Sequence, residues 1–303
     1  MRADQPPAPN LLAGIGDEAA TALTDQITAV KRLGWSAIEL RTVDGIALAD
    51  LDAQQFSSVL RAVRAANLDV VCLASRIGNW SRAITSPFAD DMHELDVLAQ
   101  RCHQLGTRLI RIMSYPNDGL PHSEWRDRAL ARVTRLAERA AEHGVTLVHE
   151  NCAGWAGSNA DRMLELVHEA GGASLRLLFD TGNGVEYGYD THDVLRRILP
   201  HVAHVHIKDA IGEPGDAAYV LPGEGQCRVA ESLRLLIASG YPGALSIEPH
   251  LLNRPHEGIQ AAGSDAEPFV QAGRRLETLL NEVGTPAALD EPDRSATTGH
   301  VTS

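Results

Sequence analysis

The sequence predicts an α/β protein built as a single (β/α)8 TIM barrel. Three observations predict it. About eight short apolar runs alternate with longer amphipathic ones. The strand-to-strand spacing is roughly 25–40 residues, the size of a βαβ unit. No break in composition divides the chain of 303 residues. An open doubly wound sheet shows the same alternation. Its nucleotide-binding form calls for a glycine-rich turn after the first strand. "GIGDEAA" offers Gly14 and Gly16 but no third glycine. Eight units in about 275 residues fit the barrel better.

Taken in order, "LLAGIG" reads as the first strand, and the helix after it stops near Gly34. "AIELR" reads as strand and "DAQQFSSVLRAVRAAN" as helix, with Asp52 as N-cap. "DVVCLAS" precedes "FADDMHELDVLAQRCHQLG". "RLIRIMSY" precedes a long helix that has Ser123 at its start and Gly144 at its end. The second half repeats the rhythm with "VTLVHEN", "LRLLFDTGN", "VAHVHIKDA" and "ALSIEPH" as strands, each followed by an amphipathic run. The barrel is placed at residues 11–284. Residues 1–10 read as a flexible tail, and 285–303, polar and without periodicity, as a disordered one.

Composition excludes several classes. With 44% hydrophobic and 22% charged residues the chain suits a soluble protein with a full core. A net charge of −13 disfavours nucleic acid, which needs a cationic surface. Cys72, Cys102, Cys152 and Cys227 are scattered, so they read as reduced thiols of a cytoplasmic protein. No apolar run approaches the ~20 residues that span a bilayer, and "MRADQPPAPN" lacks the hydrophobic segment of a signal peptide. Asn79-Trp80-Ser81 reads as a chance glycosylation sequon. The expected partner is a small molecule, with no membrane.

In a barrel the active site lies at the C-terminal ends of the strands. Strand five ends at Glu150, strand six at Asp180 and strand eight at Glu248. Strand seven turns His204, His206 and Lys208 the same way. One strand-end carboxylate alone usually caps the next helix or pairs with an arginine. Three that converge repel one another unless a cation lies among them. A divalent metal bound through Glu150, Asp180, His206 and Glu248 is the simplest neutraliser. Three hard oxygens and one imidazole suit Mn²⁺ or Mg²⁺, with Co²⁺, Fe²⁺ and Zn²⁺ admissible. His204 and Lys208 then sit beneath or beside the metal ligand His206.

"LVHEN", "LLFDTGN", "HVHIKD", "LPGEG" and "LSIEPH", in this order and spacing, resemble the xylose isomerase-like TIM-barrel superfamily. Within it they look most like the sugar phosphate isomerase/epimerase group, which includes hydroxypyruvate isomerase, ketose 3-epimerases, and inosose dehydratase and isomerase. The resemblance implies the same four metal ligands, with Glu39 and Arg41 of "AIELR" facing the barrel interior. It also implies Glu150 and Glu248 as the proton-shuttling pair, acting through a metal-stabilised enediolate. Three departures stand out. Ala156, Asn183 and Gly212 occupy places where ketose 3-epimerases carry glutamate, histidine and arginine. The substrate is therefore expected to be another sugar, keto-sugar, keto-glycoside or cyclitol. "AAYVLPGEG" lacks the extra histidines of the superfamily's DNA-repair endonucleases.

Candidate substrate contacts are Lys208, His204, Arg76, Arg111, Trp155 and Asn183, with Tyr115 near the same rim. Each has a plain structural reading beside it: an ion pair for Lys208, Arg76 and Arg111, a satisfied core position for His204, scaffold packing for the aromatics. The loop "IGEPGDAAYVLPGEG" is the candidate lid or pocket wall. The leading expectation is a metal-dependent isomerase or epimerase. A dehydratase or lyase on the same chemistry, and a non-catalytic binding or assembly barrel, are the alternatives. Related barrels commonly associate, so a homo-oligomer is expected.

Overall fold

Each apolar run of the sequence becomes one strand of a parallel barrel. The strands are Leu12–Gly14 (β1), Ala37–Leu40 (β2), Asp69–Ala74 (β3) and Leu109–Ser114 (β4), then Thr146–Gly154 (β5), Leu175–Asp180 (β6), Val202–Ile207 (β7) and Leu245–Ile247 (β8). They are hydrogen-bonded in the order β1-β8-β7-β6-β5-β4-β3-β2. A parallel bridge between Ile15 and Glu39 joins the two ends of that order. The computed structural model describes residues 10–170, 172–252 and 266–284. The tails read from the sequence lie outside those residues, apart from Asn10. That residue belongs to the barrel instead, because its Nδ2 donates to the carbonyls of Tyr241 and Gly243 at 2.8 Å each.

Among the described residues eight longer helices alternate with the strands: Leu23–Arg32 (α1), Ala53–Ala65 (α2), Phe88–Leu105 (α3), His122–His143 (α4), Ala160–Ala170 (α5), Thr191–Ile198 (α6), Val229–Ala238 (α7) and Glu267–Gly284 (α8), and a short helical turn, Asn183–Tyr187, precedes α6. Their ends follow local chemistry. Asp52 accepts from the Gln55 N–H, and the Gln55 side chain accepts from the Asp52 N–H, both at 2.8 Å. This capping box starts α2. Gly144, at φ 66°, ends α4 in the left-handed conformation. Ser123 lies within the first turn of α4, and Pro121 rather than Ser123 precedes it.

The apolar floor of the barrel interior includes Cys72, Val148 and Leu178. Above it the inward positions turn polar. Asp180 pairs in register with His206, and His206 with Ser246. The three therefore share one level, because partners in a parallel ladder present their side chains to the same face. All four cysteines are buried and free. No described helix is long and apolar enough to cross a membrane.

The loop after β7 is more ordered than its Gly- and Pro-rich sequence suggests. Residues Asp209–Glu213 and Asp216–Val220 form an antiparallel hairpin. Its return is tied down by Asp209, whose carboxylate accepts from the N–H groups of Gly223, Gly225 and Cys227 at 2.8, 3.0 and 3.1 Å. A Cβ at residue 225 would lie 2.3 Å from the Asp209 Oδ1, which explains the glycine of "GEG".

Candidate metal centre and active site

The strand ends deliver their polar side chains to one point. Ligand atoms of Glu150, Asp180, His206 and Glu248 all lie within 4.8 Å of one another, and all four residues are buried. His206 is oriented from below. Its Nε2 lies 3.1 Å from both Glu39 oxygens, and Glu39 also takes His204 Nε2 at 2.8 Å. With a proton on Nε2, the other ring nitrogen is left facing the cluster. His206 Nδ1 stands 3.3, 3.8 and 3.9 Å from Glu248, Glu150 and Asp180 oxygens, and it has no hydrogen-bond partner.

Asp180 is held as firmly. Its Oδ1 accepts from the N–H groups of Gly182 and Asn183 at 2.7 and 2.9 Å, while Oδ2 is buried without a hydrogen bond. The Asn151 side chain brackets the Asp180 backbone, accepting from its N–H at 2.6 Å and donating to its carbonyl at 2.8 Å. Asp180 Oδ2 and His206 Nδ1, neither with a hydrogen-bond partner, thus turn toward two further carboxylates. Three carboxylates and one imidazole converging in a buried place form a donor set that fits a hard divalent ion once the imidazole gives up its Nδ1 proton.

Basic side chains already neutralise part of the charge. Lys208 Nζ lies 3.1 Å from Asp180 Oδ2, without hydrogen-bond geometry, and donates to Glu248 Oε2 at 3.1 Å. Arg41 donates to the other Glu248 oxygen at 2.8 Å and also pairs with Asp17 and Glu18 at 2.8 and 2.7 Å. Arg111 approaches Glu150 to 3.4 Å, and Asn183 donates to Glu150 at 3.1 Å. The pKa directions follow. Burial pushes the Glu248 carboxyl up, but Lys208 and His206 outweigh it and hold the group well below the usual range. Burial also acts on Glu150, where Arg111 and His206 prevail and lower it. At Asp180 burial wins, helped by the Glu150 and Glu248 charges against Lys208, and the group rises to about 6. Burial lowers His206, yet Glu39 and the other carboxylates raise it well above its ordinary value.

These residues lie under a cavity of about 410 Å³ whose lining includes Arg111, Glu150, Asn183, Lys208, Glu248 and His250. The volume falls within the range typical of small-molecule sites. The hairpin after β7 supplies Asp216, Ala217 and Tyr219 to its wall, and Trp80 and Tyr187 stand at its rim.

Of the side chains singled out in the sequence, Lys208, Arg111 and Asn183 line this cavity. Three others are placed elsewhere. His204 is buried beneath His206 against Glu39. Trp155 packs inward at 1% exposure, with Arg162 over its ring. Arg76 turns away to Asp50, donating to both of its oxygens at 2.7 Å, and to Glu94. Tyr115 is also buried, its hydroxyl donating to Asp91 at 2.9 Å. Asn79 is buried and its side chain accepts from Ser81, so the sequon asparagine is turned inward.

His250, Glu18 and Asp17 escaped the sequence reading. Glu18 accepts from the His250 N–H at 2.9 Å and holds its Nδ1 at 3.0 Å, while His250 Nε2 lies 3.3 Å from Lys208 Nζ. Burial and the neighbouring Lys208 charge keep His250 well below the ordinary histidine value, so it is neutral. The only sequence signal for it was its place two residues beyond Glu248.

Fold and site together define a TIM barrel whose strand ends gather three carboxylates and a histidine that could hold a metal ion. The sequence pattern of the xylose isomerase-like TIM barrel family matches residues 27–266, and the chain belongs to that family. It is 31% identical over 185 residues to a 2-epi-5-epi-valiolone 7-phosphate 2-epimerase from an Actinoplanes species, covering 60% of this chain and 66% of that protein. It is 27% identical over 140 residues to the inosose dehydratase of Geobacillus thermodenitrificans, covering 41% of this chain and 47% of that one. The matches thus span just under two thirds of the one relative's length and about half of the other's. A xylose isomerase-like TIM barrel protein from Mycobacterium smegmatis, solved in complex with magnesium, superposes with a TM-score of 0.65. It is 16% identical and covers 89% of this chain and 97% of that one, a likeness of fold.

Proposed function

We propose that the chain is a divalent-metal-dependent isomerase or epimerase of a sugar, keto-sugar or cyclitol, with Glu150, Asp180, His206 and Glu248 as metal ligands. One observation carries this reading. Glu150 and Glu248 flank a run of four adjacent strands and line one cavity, while the two strands between them turn Asp180 Oδ2 and His206 Nδ1 to the same point without hydrogen-bond partners. When bound, a divalent ion supplies Lewis acidity that lowers the pKa of a C–H between a substrate carbonyl and a hydroxyl. The remaining chemistry belongs to the protein. Glu150 and Glu248, both held ionised, reach the cavity from two sides, so one takes the proton and the other returns it. Arg111 and Asn183 orient Glu150, and Arg41 orients Glu248.

A second reading, a dehydratase, has its own support. The inosose dehydratase match is one part, and Lys208 is the other. Its ammonium lines the cavity beside a neutral His250, where it can protonate a departing hydroxyl.

Metal content by elemental mass spectrometry tests the base of both readings: about one equivalent of Mn²⁺ in wild type and none in His206→Ala. Candidate keto-sugars and inososes are then incubated in D₂O. Deuterium at the carbon beside the carbonyl, without dehydrated product, is the isomerase outcome, and dehydrated product is the dehydratase outcome. Glu150→Gln turning over at the wild-type rate with metal bound would remove that residue from the mechanism. No metal in either protein leaves the non-catalytic barrel.

A further inference from the structure

Of the 27 lysines and arginines in the sequence, two are lysines, Lys31 and Lys208. Lys31 is exposed on α1. Lys208 is 1% exposed and lines the cavity over the carboxylates. The arginine nearest to it, Arg41, is a planar fork shared among Asp17, Glu18 and Glu248. An ammonium instead carries three N–H donors on one atom, and it exchanges acceptors by a small movement at the end of its stem. The chain places its one buried lysine where an exchangeable cation is of use.

Three acceptors surround Lys208 Nζ. It stands 3.1 Å from Asp180 Oδ2, 3.1 Å from Glu248 Oε2 and 3.3 Å from His250 Nε2. The first two belong to the proposed metal ligands, and a divalent ion among them would repel an ammonium at contact distance. His250 stands outside that set. It groups with Glu18 and Glu248, where Arg41 already takes one oxygen of each at 2.7 and 2.8 Å. The tautomer of His250 follows from its neighbours. Nδ1 lies 3.0 Å from Glu18 Oε1, and a carboxylate accepts, so Nδ1 carries the proton. Nε2 faces an ammonium, which only donates, so Nε2 offers a lone pair. Glu18 also accepts from the His250 N–H at 2.9 Å, which holds the residue in its left-handed conformation at φ 52°. Strained backbone and fixed tautomer together aim an acceptor at Lys208. Tyr219 stands beside both, its ring 4.9 Å from that of His250 and 5.9 Å from Nζ.

We propose that Lys208 is a displaceable counter-ion: metal binding moves its ammonium off Asp180 and Glu248 onto His250, and its remaining N–H donors then hold a substrate oxygen in the cavity. His250, fixed by Glu18, is the positioning residue for this transfer. Without the ion the lysine sits on the ion's own oxygens, so metal binds before substrate. The movement is confined to the end of the side chain. Gly182 packs against the stem, and Thr181 holds the Lys208 backbone by both its N–H and its carbonyl. This rests on the reading of Glu150, Asp180, His206 and Glu248 as metal ligands, whatever reaction follows.

Having two lysines makes the test direct. The full chain is produced with isotope-labelled lysine and treated with chelator, and its lysine signals are followed by NMR as a diamagnetic ion, Mg²⁺ or Zn²⁺, is added. Lys31→Arg leaves Lys208 as the single lysine and assigns its signal. The expected result is a saturable shift of that signal over the range in which calorimetry detects binding, with stronger contacts from its terminal methylene to the His250 and Tyr219 rings. Lys31 should stay unmoved. His250→Phe removes the acceptor and should weaken ion binding about fivefold or more. His250→Gln, whose side-chain carbonyl accepts, should restore most of it. In Lys208→Met the His250→Phe change should cost nothing further. Lys208 contacts that stay unchanged while the ion binds would overturn the proposal, and that measurement needs no variant at the site. Equal losses from His250→Phe with and without Lys208 would also overturn it, since they mark a purely structural role. Absence of calorimetric binding by either ion is a different failure: it removes the metal site, and the displaceable lysine with it.

Discussion

Glu39 holds His206 by one ring nitrogen and leaves the other to the cluster: Nε2 lies 3.1 Å from both Glu39 oxygens, and Nδ1 faces Glu248, Glu150 and Asp180. A carboxylate behind a histidine ligand does two things. It fixes the proton on the far nitrogen, and it makes the near one a better donor of its lone pair. Glu39 is fully buried, and although burial raises its carboxyl, His206 and His204 outweigh that and keep it well below the usual value. It is therefore ionised at neutral pH.

Glu39→Gln should therefore weaken Mn²⁺ binding by about 10–100-fold, the usual cost of losing such a support. Calorimetric titration with Mn²⁺ measures it. Equal affinity in the variant would mean that the imidazole is oriented by strand packing alone.

Lys208 competes with any metal for the same oxygens, since its Nζ stands 3.1 Å from both Asp180 Oδ2 and Glu248 Oε2. Lys208→Met should destabilise the metal-free protein by roughly 3–5 kcal/mol, because two buried carboxylates lose their counter-charge. With Mn²⁺ bound, the ion takes over that role. Melting temperatures with chelator and with saturating Mn²⁺ should therefore converge toward wild type only in the second case. Mn²⁺ affinity should rise. An equal loss of stability in both conditions would show that Lys208 acts through packing.

Protonation opposes the same binding. Burial and the Glu150 and Glu248 charges lift Asp180 to about 6, so in the metal-free protein it is largely protonated at pH 5 and ionised at pH 8. The carboxylate must be ionised to bind metal. Affinity should therefore rise with pH through about 6. His206, raised above its ordinary value, also gives up a proton on binding, and any part of it already lost at pH 8 adds to the difference in the same direction. Calorimetry in buffers of different ionisation enthalpy should find at least about one more proton released per Mn²⁺ at pH 5 than at pH 8. Equal release would place the Asp180 titration outside this range.

How much of this is legible in the sequence depends on whether periodicity reaches the residue. Glu150, Asp180, His206 and Glu248 end apolar strands, where alternation dictates which side faces inward. Glu39 is legible in the same way, but its hydrogen bonds to residues 165 and 167 positions away are not. Beyond the strand ends the pattern lapses. Trp155 and Arg76 read as rim residues because they follow strands, yet a loop side chain can turn either way, and both turn from the cavity. His250 sits at φ 52°, a left-handed conformation that no pattern in "SIEPH" announces. The hairpin at Asp209–Glu213 and Asp216–Val220 reads as loop because Gly and Pro interrupt its alternation. The chain beyond it is anchored by Asp209, which gathers three distant N–H groups.

The glycine of "DTGN" belongs to the legible motifs, but its reason is visible only in the packing. A Cβ at residue 182 would lie 2.5 Å from Lys208 Cγ and 2.8 Å from its Cβ. Gly182 has φ −100° and ψ −19°, which any residue adopts, so backbone strain plays no part. The contact alone excludes a side chain. Lys208 cannot yield by moving its backbone, because Thr181 Oγ1 accepts from its N–H at 2.9 Å and donates to its carbonyl at 2.6 Å. The lysine stem must therefore bend away, carrying Nζ off Asp180 and Glu248. Gly182→Ala should cost about 1–3 kcal/mol, as overpacking does, and shift Mn²⁺ affinity in the same direction as Lys208→Met by a smaller factor. Combining the two substitutions separates packing from charge. If Gly182 acts through the lysine, the double variant should bind Mn²⁺ as Lys208→Met does, and independent additive shifts would refute that link.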